Sequence, residues 1–94
     1  MEQTDLDIGQ IVKSKTGRDQ GRVFVVFGKA DNNHVLIVDG SLRRIDRPKK
    51  KKIKHLAKLN IVSKEIKDAI LNNEKINNAF IRRELERLGV KSWG

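Results

Sequence analysis

The stretch IGQIVKSKTGRDQGRVFVV, residues 8–26, decides the fold because two strand patterns flank a glycine loop. Residues 8–14 and 22–27 are rich in β-branched and aromatic residues, which predicts two strands. In the second strand both alternating sets are apolar: Val23, Val25 and Phe27 on one side, Phe24 and Val26 on the other. Such a strand is typically covered on both faces. We therefore expect a small sheet that curls around one face, while the C-terminal third covers the other.

Three further strands are predicted downstream. The run His34–Val38 precedes the dipeptide Asp39-Gly40, which suits a two-residue hairpin turn. This turn predicts a fourth strand over residues 42–46, and Pro48 should end it because proline cannot donate to a sheet. The alternation over residues 52–59 favours a fifth strand, although the same residues allow a helical turn.

The C-terminal third changes to a helical period. Ser63 is a candidate N-cap for a first helix with Ile66, Ala69 and Ile70 on one face. After a polar break at residues 72–78, a second stripe ends at Gly89 and consists of Phe80, Ile81, Leu85 and Leu88. Both stripes indicate core or a docking surface. The predicted fold is mainly β, a five-stranded sheet followed by two short helices.

The excess positive charge is concentrated in one window. The chain has a net charge of +9. Residues 43–58 contain nine Lys or Arg against one acid, Asp46, which gives a balance of +8 in sixteen residues. This concentration is typical of a surface that binds a polyanion. A solvated surface is the ordinary alternative for a charge run, and PKKKKIK also resembles a nuclear import signal.

The loop between the first two strands is a second basic feature. Gly17 and Gly21 bracket its tip, and glycine permits positive φ and close backbone approach. The basic residues around them are Lys13, Lys15, Arg18 and Arg22. A tight basic loop with bare backbone suits phosphate binding. On these residues alone, a plain hairpin turn with exposed charges remains the alternative.

Residues 8–26 resemble a KOW motif: a strand opened by Gly9, a basic loop with Gly17 and Gly21, and a hydrophobic second strand from Val23. The resemblance continues through VLIVDGSLRRIDRPKKKKIKHL and covers about residues 6–60. It is to the KOW-containing large-subunit ribosomal protein fourteen of archaea and eukaryotes and its small bacterial relatives. It implies a small SH3-like barrel that binds RNA within or alongside the ribosome. The helical tail has no counterpart in those ribosomal proteins.

Candidate RNA-binding residues follow from the resemblance, the glycine loop and the basic window together. Carried over by position, the resemblance implies contacts from three loop residues, Lys15, Arg18 and Arg22, from Arg43 and Arg44, and from the lysines of residues 49–54. The complete set of candidates is Lys13, Lys15, Gly17, Arg18, Gly21, Arg22, Arg43, Arg44, Arg47, Lys49, Lys50, Lys51, Lys52, Lys54, His55 and Lys58.

The sequence also predicts the organisation of the chain. We expect a KOW/SH3-like RNA-binding domain over residues 6–60 and a helical extension over residues 61–94. Trp93 is expected to anchor the tail, although it could instead be an exposed stacking surface. No segment approaches the length of a membrane span. A monomeric cytoplasmic protein is the resulting expectation.

Several function classes are disfavoured. The serines lack an identifiable base partner and no glycine loop has nucleotide-binding spacing, so we expect neither an enzyme nor a cofactor. His34 and His55 lack cysteine partners for a zinc site. An anionic membrane would attract the basic window, but no lipidation signal accompanies it.

Two hypotheses follow. The leading one is binding to ribosomal RNA, as an accessory ribosomal protein or as an assembly or translation factor. The alternative is a KOW protein-interaction module of transcription elongation or translation, which docks on a protein partner through its C-terminal helices.

Overall fold

The computed structural model describes residues 6–90, which form five strands and two helices. The elements in chain order are β1 (Gln10–Ser14), β2 (Val23–Lys29), β3 (His34–Val38), β4 (Lys49–Lys52), β5 (Leu56–Val62), α1 (Lys64–Leu71) and α2 (Asn78–Arg87). A 3-10 turn, Ile53–His55, joins β4 to β5. The predicted class, a mainly β fold with a five-stranded sheet and two C-terminal helices, is confirmed.

The sheet is antiparallel in the order β4-β3-β2-β1-β5. Its two end strands are joined by only the three residues of the 3-10 turn. In a flat sheet those strands would lie about 19 Å apart. The four Cα steps from Lys52 to Leu56 reach at most about 15 Å, so the sheet must curl. Closure into an SH3-like barrel stays a prediction.

Each face of the sheet has its own hydrophobic core. The inner core consists of Leu6, Val12, Phe24, Val26, Val35, Ile37 and Leu56. The outer core joins the sheet to the helices through Ile11, Val23, Val25, Val38, Ile66, Ile81 and Leu85. The two alternating sets of β2 thus enter different cores, as its sequence predicted. The helices provide the second cover, because Ile66 of α1 and Ile81 and Leu85 of α2 are buried in this outer core.

The caps of the helices follow the sequence signals. The Ser63 side chain accepts a hydrogen bond from the Ile66 amide at 3.1 Å, as an N-cap of α1 should. The second helix begins after Asn77, whose side chain accepts from the Phe80 amide at 2.8 Å. It ends before Gly89, which has a φ of +73° and permits the left-handed conformation found after many helices.

The second helical stripe is part of the core. Ile81 and Leu85 are fully buried, and Phe80 and Leu88 are half-buried at the edge of the same outer core. The stripe faces the side of β2 that contains Val23, not the side that contains Phe24. A role as core, one of the two readings of the sequence, is therefore what the structure shows.

The predicted fourth strand over residues 42–46 is wrong, because residues 39–48 form a loop. The Asp39 carboxylate accepts hydrogen bonds from the amides of Ser41 and Arg43, at 2.9 and 2.8 Å. The Arg43 carbonyl in turn accepts from the amides of Asp39 and Gly40. This side-chain-closed turn replaces the expected two-residue hairpin and directs the chain away from β3.

The lysine run itself is the fourth strand. It pairs with β3 in a register that places Lys49 opposite Ile37 and Lys52 opposite His34. Pro48 comes directly before this strand instead of ending an earlier one. At that position its missing amide hydrogen does not interrupt the hydrogen-bonded ladder.

Both alternatives for residues 52–59 occur in succession, a 3-10 turn over Ile53–His55 and then β5. The fifth strand continues to Val62 and so crosses the predicted boundary between residues 60 and 61. The division into two domains stays a prediction. Trp93 lies outside the described residues. Within residues 6–90, α1 and α2 are both too short and too polar to cross a membrane.

Candidate nucleic-acid interface

The glycine loop, residues 15–22, closes on itself through backbone hydrogen bonds. The Gly21 amide donates to the Ser14 carbonyl at 2.8 Å, and the Arg22 amide donates to the Asp19 carbonyl at 2.9 Å. Gly17 and Gly21 have φ angles of +77° and +88°, which favour glycine. The loop therefore presents Lys15 and Arg18, both exposed, from a shape that its own backbone fixes.

The side chains of the lysine strand, β4, alternate between the two faces of the sheet. Lys51 pairs directly with Val35, which belongs to the inner core. Directly paired residues of antiparallel strands share a face, so Lys49 and Lys51 lie on the inner side. Lys50 and Lys52 lie on the outer side and are exposed. One run of four lysines thus supplies two differently placed pairs of charges.

The glycine loop contacts both the lysine strand and the 3-10 turn. The Lys51 ammonium donates to the Thr16 carbonyl at 3.3 Å. The Lys15 amide donates to the His55 carbonyl at 2.9 Å. These two hydrogen bonds join chain segments that are about forty residues apart in sequence. The structure therefore brings together the glycine loop, Lys51 and His55.

His55 lies in a region of positive charge, and this charge affects its pKa. Desolvation lowers the pKa of His55 most, and repulsion from nearby ammonium groups lowers the pKa further. These groups belong to Lys54, Lys51, Lys52 and Lys15. A bound anion would relieve this repulsion and favour the protonated ring. The region around His55 is therefore suited to phosphate oxygens.

Lys50 lies in a different environment on the outer face. Its ammonium is 3.8 Å from the Asp31 carboxylate, and both side chains are largely exposed. The pKa of Asp31 is lowered, first by its hydrogen bond with His34 and then by the Asn33 amide. The carboxylate therefore stays ionised and offsets part of the positive charge on this side.

The loop over residues 39–48 contains three candidate arginines and is called the arginine loop below. The Arg43 guanidinium lies 3.5 Å from the Asp19 carboxylate at the tip of the glycine loop. Asp19 is only 4% exposed, so this ion pair joins the two loops in a partly buried place. Arg44 lies 3.7 Å from Asp46, and both are exposed. Arg47 is exposed as well.

Two candidate lysines are separated by the sheet. Lys13 pairs with Val23 of the outer core and therefore lies on the outer face. Lys58 pairs with Val12 of the inner core and lies on the opposite side. A single flat surface cannot contain both. The half-buried Arg22 also differs from the exposed loop residues.

Three further residues, which were not among the candidates, shape this region. Asp19 is an acid inside a basic loop, so it gave no binding signal. Asn78 and Arg82 lie on α2 and contact the arginine loop: the Asn78 side chain accepts from the Ile45 amide at 2.9 Å, and Arg82 donates to the Gly40 carbonyl at 2.6 Å. No sequence signal indicates a contact between a helix and a loop more than thirty positions away.

Comparison with known proteins identifies a relative. No family model matches the chain. The chain is similar to the "Putative ribosome-binding protein YbzG" of Bacillus subtilis (strain 168), with 33% identity over 73 residues. The aligned region covers 78% of this chain and 99% of the Bacillus protein. The similarity therefore extends over nearly the whole relative.

Proposed function

The chain belongs to the same family as the Bacillus subtilis protein YbzG, and on this premise we propose that it binds the ribosome through ribosomal RNA. The observation that supports RNA as the contact is the joining of the glycine loop, the lysine strand and the 3-10 turn by direct hydrogen bonds. Binding without catalysis is the proposed activity, and the cytoplasm is the proposed compartment.

The proposed mechanism is electrostatic. Lysine side chains around His55 neutralise phosphates, and the exposed backbone at Gly17 admits a phosphate closely. The described aromatic residues are unsuited to base stacking, because Phe24 is buried and Phe27 and Phe80 pack against the outer core. The affinity should therefore come from phosphates and RNA shape rather than from stacked bases.

The KOW resemblance supports the same proposal. The glycine loop lies between two paired strands, and both of its glycines have positive φ, which is compatible with such a motif. We propose that residues 6–60 act as a KOW domain with an SH3-like barrel. The helices would then be a structural extension, and the free protein a monomer.

Burial of the second helical stripe disfavours the alternative of a protein-docking module. Ile81 and Leu85 are fully buried in the outer core and are not available to a partner. An exposed stripe would have favoured docking. RNA binding with a structural tail is the hypothesis that this burial supports.

The central experiment is a salt titration of binding to purified ribosomes and to ribosomal RNA. If about five phosphates are engaged, log affinity should fall with log salt at a slope of about −3.5 to −4.5. A nearly flat response would contradict the mechanism. Crosslinking in cells and sequencing of the attached RNA would test the target, and enrichment of messenger or transfer RNA over ribosomal RNA would contradict the ribosome.

A matched pair of variants tests which side of the lysine strand binds. Lys51→Gln and Lys50→Gln each remove one charge from adjacent positions of the same strand. Lys51 faces the glycine loop, whereas Lys50 is near Asp31. We expect Lys51→Gln to weaken binding about three- to tenfold and to reduce the slope by about 0.7–0.9, with a smaller effect of Lys50→Gln. Equal effects of the two variants would contradict this placement.

A further inference from the structure

The arginine loop is held by α2 at two points. The Arg82 guanidinium donates to the Gly40 carbonyl at 2.6 Å, near the start of the loop. The Asn78 side chain accepts a hydrogen bond from the Ile45 amide at 2.9 Å, beyond the arginines Arg43 and Arg44. The two contacts therefore enclose the segment that presents these arginines. A loop fixed on both sides has less conformational freedom than one tethered only by its ends.

The contact with α2 is also close at the backbone. A Cβ atom added to Gly40 would lie 2.6 Å from the Asn78 carbonyl oxygen and 3.0 Å from the Arg82 side chain. Gly40 has a φ of +79°, which also favours glycine. The first turns of α2 and the start of the loop are therefore packed too tightly for any side chain at this position.

On its other side the arginine loop contacts the glycine loop. The Arg43 guanidinium lies 3.5 Å from Asp19, which is buried at the glycine-loop tip. The loop then leads through Pro48 directly into the lysine strand. The arginine loop thus lies between α2 and the surface that we propose to bind RNA.

We propose that Asn78 and Arg82 are positioning residues for RNA binding, which hold the arginine loop where its arginines can reach phosphates together with the glycine loop. This inference rests on the proposed function. It gives the helical extension a role in binding without an RNA contact of its own. The physical reason is preorganisation: a loop that is already ordered loses less entropy when the RNA binds.

The rival explanation for any effect at Arg82 is a direct phosphate contact. A direct contact adds to the number of neutralised phosphates, so its loss makes the salt slope shallower by about 0.7–0.9. Loss of a positioning residue weakens binding without removing a charged contact. The slope therefore distinguishes the two roles, and Asn78, which is uncharged, provides an independent test.

The experiment compares Asn78→Ala, Arg82→Gln and the control Arg83→Gln in salt titrations with a ribosomal RNA fragment. Asn78 is at the first position of α2, where alanine is compatible with a helix. Arg83 is adjacent to Arg82 and exposed, so its substitution removes the same charge without touching the loop. Thermal unfolding of each variant confirms that it is folded, and hydrogen exchange at the Ile45 amide shows whether the loop is released.

We expect Asn78→Ala and Arg82→Gln to weaken binding about three- to tenfold with faster exchange at Ile45, and Arg83→Gln to change little. The slope of Asn78→Ala should equal that of the wild type. Two outcomes would overturn the inference and leave the proposed function standing. The first is wild-type affinity in Asn78→Ala, and the second is a loss of about 0.9 in the salt slope in Arg82→Gln alone. A flat salt response in the wild type would overturn both.

Discussion

The glycine loop and the arginine loop are both basic and both contain glycine at positive φ, yet they are held in different ways. The glycine loop is closed by hydrogen bonds among its own residues and Ser14. The arginine loop needs the Asp39 side chain and two residues of α2. The glycine loop thus has a closure of its own beside its contacts with Lys51 and His55, whereas the arginine loop is held in place by α2. This difference predicts how much hydrogen-exchange protection each loop should lose when the helices are disturbed.

The largest expected effect comes from the outer core beneath α2. Leu85 is fully buried there, so Leu85→Ala should lower the free energy of unfolding by about 2–5 kcal/mol. Because α2 holds the arginine loop, amides at Arg43 and Ile45 should lose more exchange protection than those at Gly21 and Arg22. Urea unfolding and hydrogen exchange measure both quantities. Equal losses in the two loops would show that both open only when the whole protein unfolds.

The next prediction compares two glycines with similar backbone conformation. Gly40 and Gly21 have φ angles of +79° and +88°, but a Cβ would clash with α2 only at Gly40 and would meet nothing within 4 Å at Gly21. Gly21→Ala should therefore cost about 1 kcal/mol of unfolding free energy, from backbone strain alone. Gly40→Ala should cost about 3 kcal/mol, since overpacking adds to that strain. If urea unfolding gave similar losses of unfolding free energy for the two variants, α2 would have to move away from residue 40 with little energetic cost.

The same contrast explains what the sequence could predict. The glycine loop was predictable because its glycines and flanking strand patterns are local signals, and the structure places Gly17 and Gly21 at positive φ. Local reasoning from Asp39-Gly40 gave a two-residue hairpin and a strand over residues 42–46, which is wrong. The actual turn depends on the Asp39 carboxylate, which competes locally with the two-residue hairpin, and on α2, whose contact leaves no local pattern.

The lysine strand shows a second limit of sequence reasoning. Four consecutive lysines do not read as a strand, because strand propensity is low and no alternation is visible. They form one because β3 provides a paired edge and because long lysine side chains can lie along apolar surface with their charges in water. Tertiary context therefore overrides propensity here. Burial of both faces of β2 was predicted correctly, because both of its alternating sets of residues are apolar in the sequence itself.

A pH-dependent prediction concerns the attachment of α2. Glu84 is 8% exposed, accepts from Arg87 at 2.8 Å and contacts the Ser63 hydroxyl at 3.3 Å. The hydrogen bond with Arg87 lowers the pKa of Glu84 most, although burial opposes this. A lowered pKa contributes stability above the ordinary value near 4.5, and this contribution is lost as the pH falls through the folded-state value.

The variant Glu84→Gln should therefore be less stable than the wild type by about 1 kcal/mol at pH 7, and the difference should shrink below about pH 4.5. Thermal unfolding over pH 3 to 7 measures it. Acid should also expose the Ile45 amide before the Gly21 amide, since only the arginine loop depends on α2. A stability difference that does not change with pH would contradict the role of the Glu84 charge.

The smallest expected effect is a pH dependence of RNA affinity, which should arise on the glycine-loop side of the proposed RNA surface. The pKa of His55 is lowered by desolvation and by the surrounding lysines, and RNA phosphates would raise it. RNA binding should then take up a proton, so affinity should increase as the pH falls from about 7.5 to 5.5. A rise of one unit in the pKa on binding corresponds to at most about a tenfold gain.

The variant His55→Gln should lose this pH dependence, whereas His34→Gln should keep it, because His34 hydrogen-bonds Asp31 on the outer face. Binding titrations at several pH values and constant ionic strength measure the effect. If His34→Gln removed the dependence instead, the RNA would have to approach the outer face near Lys50. The proposed surface would then move from the glycine loop to the opposite side of the lysine strand, because the two faces of that strand present different lysines.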